Sequence, residues 1–157
     1  MGRKEEPQVK KAGIEDFLEI ARLDREAWKE NRHSEHIPDG EHIWRLWVEY
    51  STVFVAVVSG RIVGAAALFK ADEGCLYLLH KIFIVREFRD RKIGHLIFLA
   101  IGEFLDRSRC DCLLTTDPVN ERMLHLCEKF GFLEKTFARS YYRENEDRFV
   151  LRRTFKK

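Results

Sequence analysis

The chain has 157 residues, 45% of them hydrophobic, with 28 basic and 26 acidic side chains and a formal net charge of +2. That much apolar material suits the core of one domain and excludes a disordered chain. The balanced charge gives no global attraction for nucleic acid or an anionic membrane, so any basic site must be local.

Residues 1–7 are charged, end in Pro7 and read as a loose tail. The opening lacks the apolar stretch of a secretory signal, and Glu6 breaks the myristoylation pattern. No apolar run approaches the roughly 18 residues of a membrane span. A cytoplasmic protein with no membrane partner is expected.

QVKKA, 8–12, reads as a short strand. Residues 14–30 predict a helix, with Phe17, Leu18, Ala21 and Trp28 near one face and Ile20, Leu23 and Ala27 widening it. A polar loop, 31–40, follows, and Asp39 is expected to cap a second helix that carries Ile43, Trp44, Trp47 and Tyr50. His33, His36 and His42 lie in or near this loop without a Cys or a tight helical pair, so no metal site is expected. The tryptophans read as core or groove wall, and no basic–aromatic interleaving points to nucleic acid.

The period then changes. STVFVAVV is β-branched and apolar on both faces, Ser59-Gly60 is a two-residue hairpin signal, and RIVGAAALF is the partner strand. CLYLLHKIFIV, 75–85, is a longer apolar strand, of the kind covered on both sides by helices. A helix is predicted from about Gly94 to Ser108, a strand over CDCLLTT, and a helix from Asn120 to Phe130 with Asn120 as cap and Gly131 as stop. FLEKTFARSYY and RFVLRRTF close the chain as a hairpin around RENED. The order is β-α-α-β-β-β-α-β-α-β-β, without repeats or a linker, so residues 1–157 read as a single α/β (α+β) domain. Cys75, Cys110, Cys112 and Cys127 form no CxxC pair and read as reduced, partly buried thiols.

FRDRKIGHLIF, 88–98, places Arg89, Arg91 and Lys92 in a short loop that leads into an apolar helix. The first helical N–H groups lack intrahelical partners, and the helix dipole adds partial positive charge. Gly94 permits close approach of the backbone to a ligand. A diphosphate is the natural guest, while the absence of GxxxxGK[ST] and GxGxxG disfavours a nucleoside triphosphatase or a Rossmann dehydrogenase.

These residues resemble the acetyl-CoA-binding segment of the GNAT superfamily of N-acetyltransferases, [R/Q]-x-x-G-x-[G/A] after a long strand. Arg89 fills the first position and Gly94 the last, with Lys92 where the middle glycine usually stands. A second segment, 120–132, is similar to the family's N-x-x-A-x-x-L-Y-E-K-x-G-F. Asn120, Leu126, Glu128, Lys129, Gly131 and Phe132 match; Met123 and Cys127 depart.

The resemblance implies a central mixed, largely antiparallel sheet with helices on both faces and a splayed parallel pair, the strands ending at Val85 and spanning 110–116. It implies acetyl-CoA as cosubstrate, held by Ile84, Val85, Arg89, Asp90, Arg91, Lys92, Ile93, Gly94 and His95, with Asn120 from the second segment. Backbone N–H groups near Ile84 would polarise the thioester carbonyl. The expected activity is transfer of acetyl to a primary amine by direct attack; the alternative is an acyl-CoA-binding sensor or interaction module without turnover.

His80 is the expected general base. It is the only histidine in the apolar strand 76–85, where an idle polar group would be costly to bury, and histidine titrates at roughly pH 6.5. By alternation it shares a face with Ile82 and Ile84. Cys127 stands where the family often has an acidic tyrosine, and Tyr142 or its neighbour Tyr141, placed late in the penultimate strand, is the other candidate acid. Glu35, Asp39, Glu41, Glu144, Glu146 and Asp147 are available to draw a cationic acceptor. A polyamine, an aminoglycoside-like amine, a protein N-terminus and a lysine side chain all stay open as acceptors, as does a homodimer.

Overall fold

The computed structural model describes residues 6–36 and 38–157, so most of the expected tail lies outside the described residues. The elements follow the predicted order: β1 (Gln8–Lys11), α1 (Phe17–Trp28) entered through a 3-10 turn (Ile14–Asp16), α2 (Glu41–Tyr50), β2 (Thr52–Val58), β3 (Arg61–Lys70), β4 (Leu76–Ile84), a 3-10 turn (Arg86–Phe88), α3 (Ile93–Ser108), β5 (Asp111–Thr116), α4 (Glu121–Lys129), β6 (Phe132–Ala138) and β7 (Arg148–Arg153). The seven strands hydrogen-bond in the order β1-β2-β3-β4-β5-β7-β6, and β4/β5 is a parallel pair. No helix among the described residues is long and apolar enough to cross a membrane.

The described residues fall into two compact units, one running to Leu68 and taking in Lys81–Ala100, the other comprising Phe69–His80 and Ile101–Lys157. In the first, β1 and β2 are antiparallel, with Val9 opposite Ala56, and β2 and β3 form the predicted hairpin. Its turn residues Ser59 and Gly60 both have positive φ, 50° and 75°, as the right-handed twist of a two-residue hairpin requires. Gly64 of β3 admits the close approach of β4: a Cβ there would lie 2.7 Å from the carbonyl oxygen of Phe83.

α1 buries part of its expected face and adds an acid to it. It buries Ile20, Ala21, Leu23 and the polar Asp24, while Leu18 is 56% exposed. Asp39 does not cap α2; Gly40 holds that position, and Asp39 is drawn to a lysine ammonium instead.

In the second unit, β5 pairs antiparallel with β7 and β7 with β6. The parallel ladder between β4 and β5 covers three residue pairs and ends at Leu78 opposite Leu113. Asn120 caps α4 as predicted, its side-chain oxygen accepting from the Met123 N–H at 3.1 Å, and Gly131 with φ 89° takes the chain out of the helix.

Two expectations are corrected here. Cys75 and Cys110 are joined in a disulfide; only Cys112 and Cys127 are free thiols, both buried. Tyr141 and Tyr142 lie beyond β6, in the turn before β7, and both are exposed.

Candidate active site

β4 gives way to the basic loop. The Val85 N–H is spent on the carbonyl of Val63 at 2.9 Å. After the 3-10 turn, Asp90 and Lys92 adopt left-handed backbone with φ 63° and 60°, and α3 begins at Ile93. Ile93 is buried and anchors the first turn in the core, Gly94 and His95 are half-buried, and Asp90, Arg91 and Lys92 are exposed. A turn that alternates hand at the head of a helix gathers backbone N–H groups into an anion-binding concavity. With two exposed cationic side chains on it, the loop fits a diphosphate.

The Arg89 guanidinium makes two contacts within the chain. Its Nε donates to the Ile84 carbonyl at 3.0 Å and its Nη1 meets Glu30 at 2.5 Å. Arg86 lies 3.8 Å from the other oxygen of the same carboxylate. The cofactor-binding candidates Ile84, Val85 and 89–95 therefore lie in one stretch of the first unit, braced by Glu30 two residues beyond α1.

The polar group withdrawn into β4 is Lys81, not His80. The Lys81 side chain is 12% exposed, and its ammonium lies 2.8 Å from Asp24, which is 3% exposed. Asp39 accepts from the same ammonium at 2.6 Å, and the ring of Trp28 lies 5.4 Å away. Trp44, fully buried, donates its indole N–H to Asp24 at 3.0 Å and meets Phe83 edge-on with ring centres 6.3 Å apart. Burial drives the Asp24 carboxyl above the usual range, with the nearby Asp39 charge adding to it; Lys81 and the Trp44 N–H work against this. Strand alternation accounts for the exchange: Leu79, Lys81 and Phe83 share a face, and His80 takes the other.

His80 belongs to the second unit and is exposed, its ring tilted against Phe69 at 5.3 Å. Asn120, the cap of α4, and Cys127 within that helix are in the same unit. Cys127 has no exposed surface, and burial pushes its thiol up to about 12. Tyr142 shares a hydrogen bond of 2.9 Å with the Thr115 hydroxyl, and the Arg148 guanidinium lies over its ring at 5.2 Å. Glu146, one of the expected acceptor-drawing acids, is instead buried between Arg143 and Arg148. His33, Glu35 and His36 place their potential ligand atoms within 4.8 Å of one another.

Sequence reasoning missed Asp24, Glu30 and Lys81. Asp24 carried a signal: Ile20, Ala21, Asp24 and Trp28 recur at helical spacing, which sets an acid on an otherwise apolar stripe.

A family model for the acetyltransferase (GNAT) family matches residues 17–132. No curated protein sequence matches the chain significantly. Solved structures do. The acetyltransferase of the GNAT family from Streptococcus pneumoniae is similar with a TM-score of 0.80 at 18% identity, over 96% of this chain and 100% of that one. The yncA protein from Salmonella typhimurium, solved with its cofactor acetyl-CoA, has a TM-score of 0.82 at 10% identity, over 96% of this chain and 95% of that one. The ribosomal-protein-S18-alanine N-acetyltransferase from Escherichia coli has a TM-score of 0.80 at 16% identity, over 97% of this chain and 96% of that one. At these identities the likeness is one of fold.

Proposed function

Because the chain belongs to the acetyltransferase (GNAT) family, which uses acetyl-CoA, we propose that it transfers the acetyl group to a primary amine by direct attack. The observation that carries this reading is the loop 89–95, where left-handed Asp90 and Lys92 lead into the N-terminus of α3. In this reading the backbone N–H groups at the start of α3 and the side chains of Arg91 and Lys92 receive the diphosphate. The N–H groups of successive strand residues point to opposite edges. With that of Val85 turned to Val63, the Ile84 N–H is the donor left to polarise the thioester carbonyl.

The amine must lose its proton to attack. We assign that proton to His80 through water, because its side chain leaves β4 on the face opposite Lys81. The departing thiolate needs a proton in turn. A fully buried thiol pushed up to about 12 is a poor donor, so Cys127 is assigned to packing and the acid role to the exposed hydroxyl of Tyr142.

Cys127 in place of tyrosine also favours the second reading, an acyl-CoA-binding module without turnover. Acetyl-CoA consumption with an alkylamine, a polyamine, an aminoglycoside and a lysine peptide with a free N-terminus separates the two. Turnover of any of them supports the enzyme. Calorimetric binding of acetyl-CoA with no turnover across the panel supports the module.

A further inference from the structure

Among its described residues the segment between α1 and α2 has no helix or strand, yet it is tied down at three places within the first unit. Near its start Glu30 holds Arg89. In its middle the His36 carbonyl accepts the Trp28 indole N–H at 2.8 Å. Near its end Asp39 meets the Lys81 ammonium at 2.6 Å.

The third tie is the costly one. A lysine withdrawn from water loses hydration that only close, well-oriented carboxylates replace. Asp24 supplies one from α1, itself oriented by Trp44, and Asp39 supplies the other from the connecting segment. An apolar side chain at position 81 would sit beside Phe83 and Trp28 without that desolvation cost. What it would lack is a hold on residue 39. Replacing a buried ion pair by well-packed apolar groups is often neutral or stabilising, so net stability does not account for this one.

We propose that Lys81 is a positioning residue for the acceptor amine, latching segment 30–39 onto β4 through Asp39. The proposal rests on the reading that transfer takes place at the end of β4. Lys81 stands three residues before Ile84, about 10 Å along the strand. Ile84 is tied through its carbonyl to Arg89, and Arg89 to Glu30. Both ends of the segment are thus fixed to the stretch that carries the thioester site. Lys81 exchanges no proton and forms no bond with substrate; it sets the wall against which the amine approaches.

The test compares Lys81→Met, Lys81→Arg and the double variant Asp24→Asn/Lys81→Met, in which the fully buried carboxylate is not left without its cation and only the part-exposed Asp39 loses its partner. Amide hydrogen exchange over 29–40 is expected to quicken by about tenfold or more in both methionine variants, with 93–108 unchanged. For the amine turned over best in the panel above, KM is expected to rise by about tenfold with kcat within about threefold, the signature of lost binding rather than lost chemistry. Acetyl-CoA affinity stays at the wild-type value, and Lys81→Arg recovers most of the KM. Wild-type exchange over 29–40 in the double variant, or wild-type KM in it, overturns the latch. If the wild type turns over no amine, the proposed function fails on its own, and the exchange rates still decide whether Lys81 holds the segment.

Discussion

The Nε of Arg89 donates to the backbone carbonyl of Ile84 at 3.0 Å. The first basic residue of the loop is therefore turned back onto the strand it follows, and Glu30 fixes its outer edge. In the proposed function its part in acetyl-CoA binding is to hold the loop in shape. Arg89→Ala is expected to weaken acetyl-CoA binding by about 1–3 kcal/mol, the scale of a lost charge-assisted hydrogen bond. Arg89→Lys is expected to recover little, because an ammonium cannot reproduce the forked contact to a carbonyl and a carboxylate. Glu30→Gln keeps the bond to Ile84 and is expected to cost less than either. Calorimetry on the three variants checks the ranking, and an unchanged affinity in Arg89→Ala removes the loop from the site.

Lys92, where the family usually has glycine, holds φ at 60°. An L-residue with a Cβ is strained there, by about 1 kcal/mol or somewhat more. Lys92→Gly relieves the strain and is expected to raise stability by about 1 kcal/mol, less the extra chain entropy of glycine. Because the ammonium is exposed, the same variant is expected to lose less than about 1 kcal/mol of acetyl-CoA affinity. A lowered melting temperature would show that the lysine side chain stabilises the loop by more than its backbone costs.

The element order was legible because strand and helix periods differ and the turns carry their own residues: Ser59-Gly60, Asn120 and Gly131 each do what their chemistry predicts. The inward face of β4 was not. Leu79-Lys81-Phe83 and His80-Ile82-Ile84 each present one polar residue among apolar ones, so alternation alone leaves the parity open. What selects Lys81 is Asp24, 57 residues earlier in the chain, together with Asp39. No local pattern encodes a pair that distant. The disulfide is illegible for the same reason, since its partners lie 35 residues apart with no motif between them.

The cysteines give a prediction by counting. Under non-denaturing conditions a thiol reagent is expected to find no reactive group, because Cys112 and Cys127 are buried and pushed up to about 12 and Cys75 is bonded to Cys110. Denaturation without reductant is expected to expose two thiols, and prior reduction all four. Breaking the bridge is expected to cost about 3–4 kcal/mol for a loop of this length. The two raised thiols also set an alkaline limit. Their stabilising effect is complete below the unfolded value of roughly 8.5 and is lost as pH rises toward the folded one. The urea midpoint is expected to fall between pH 8 and 11, and less steeply in Cys127→Ala.

Tyr142 and Cys127 are separable as proton donors. Tyr142→Phe removes the hydroxyl bonded to Thr115 and keeps the ring under Arg148. A drop in kcat of about 10²–10⁴ is expected if that hydroxyl protonates the thiolate. Cys127→Ser is expected to leave kcat within a few-fold and to lower the melting temperature, since it places a hydroxyl where a buried thiol packed. The reverse result, a loss of turnover in Cys127→Ser alone, would return the acid role to α4.

His80 is tested last because its exposure changes the experiment. A buried histidine could not be replaced without risk to the fold, and any loss of activity would be ambiguous. On the outer face of β4, with Phe69 as its ring neighbour at 5.3 Å, His80 is replaceable by Gln at small cost, since substitutions away from the core usually shift stability by about 0.5 kcal/mol or less. A fall in kcat of about 10²–10⁴ at unchanged melting temperature and unchanged acetyl-CoA affinity is then a statement about the proton alone. The sign is fixed by the role: a base works deprotonated, so wild-type kcat/KM rises with pH through an ionisation that His80→Gln lacks. The comparison is made with one amine throughout, so that any limb belonging to the substrate is common to both enzymes. Full turnover in His80→Gln with the same rising limb would leave that limb to the amine and the proton to water.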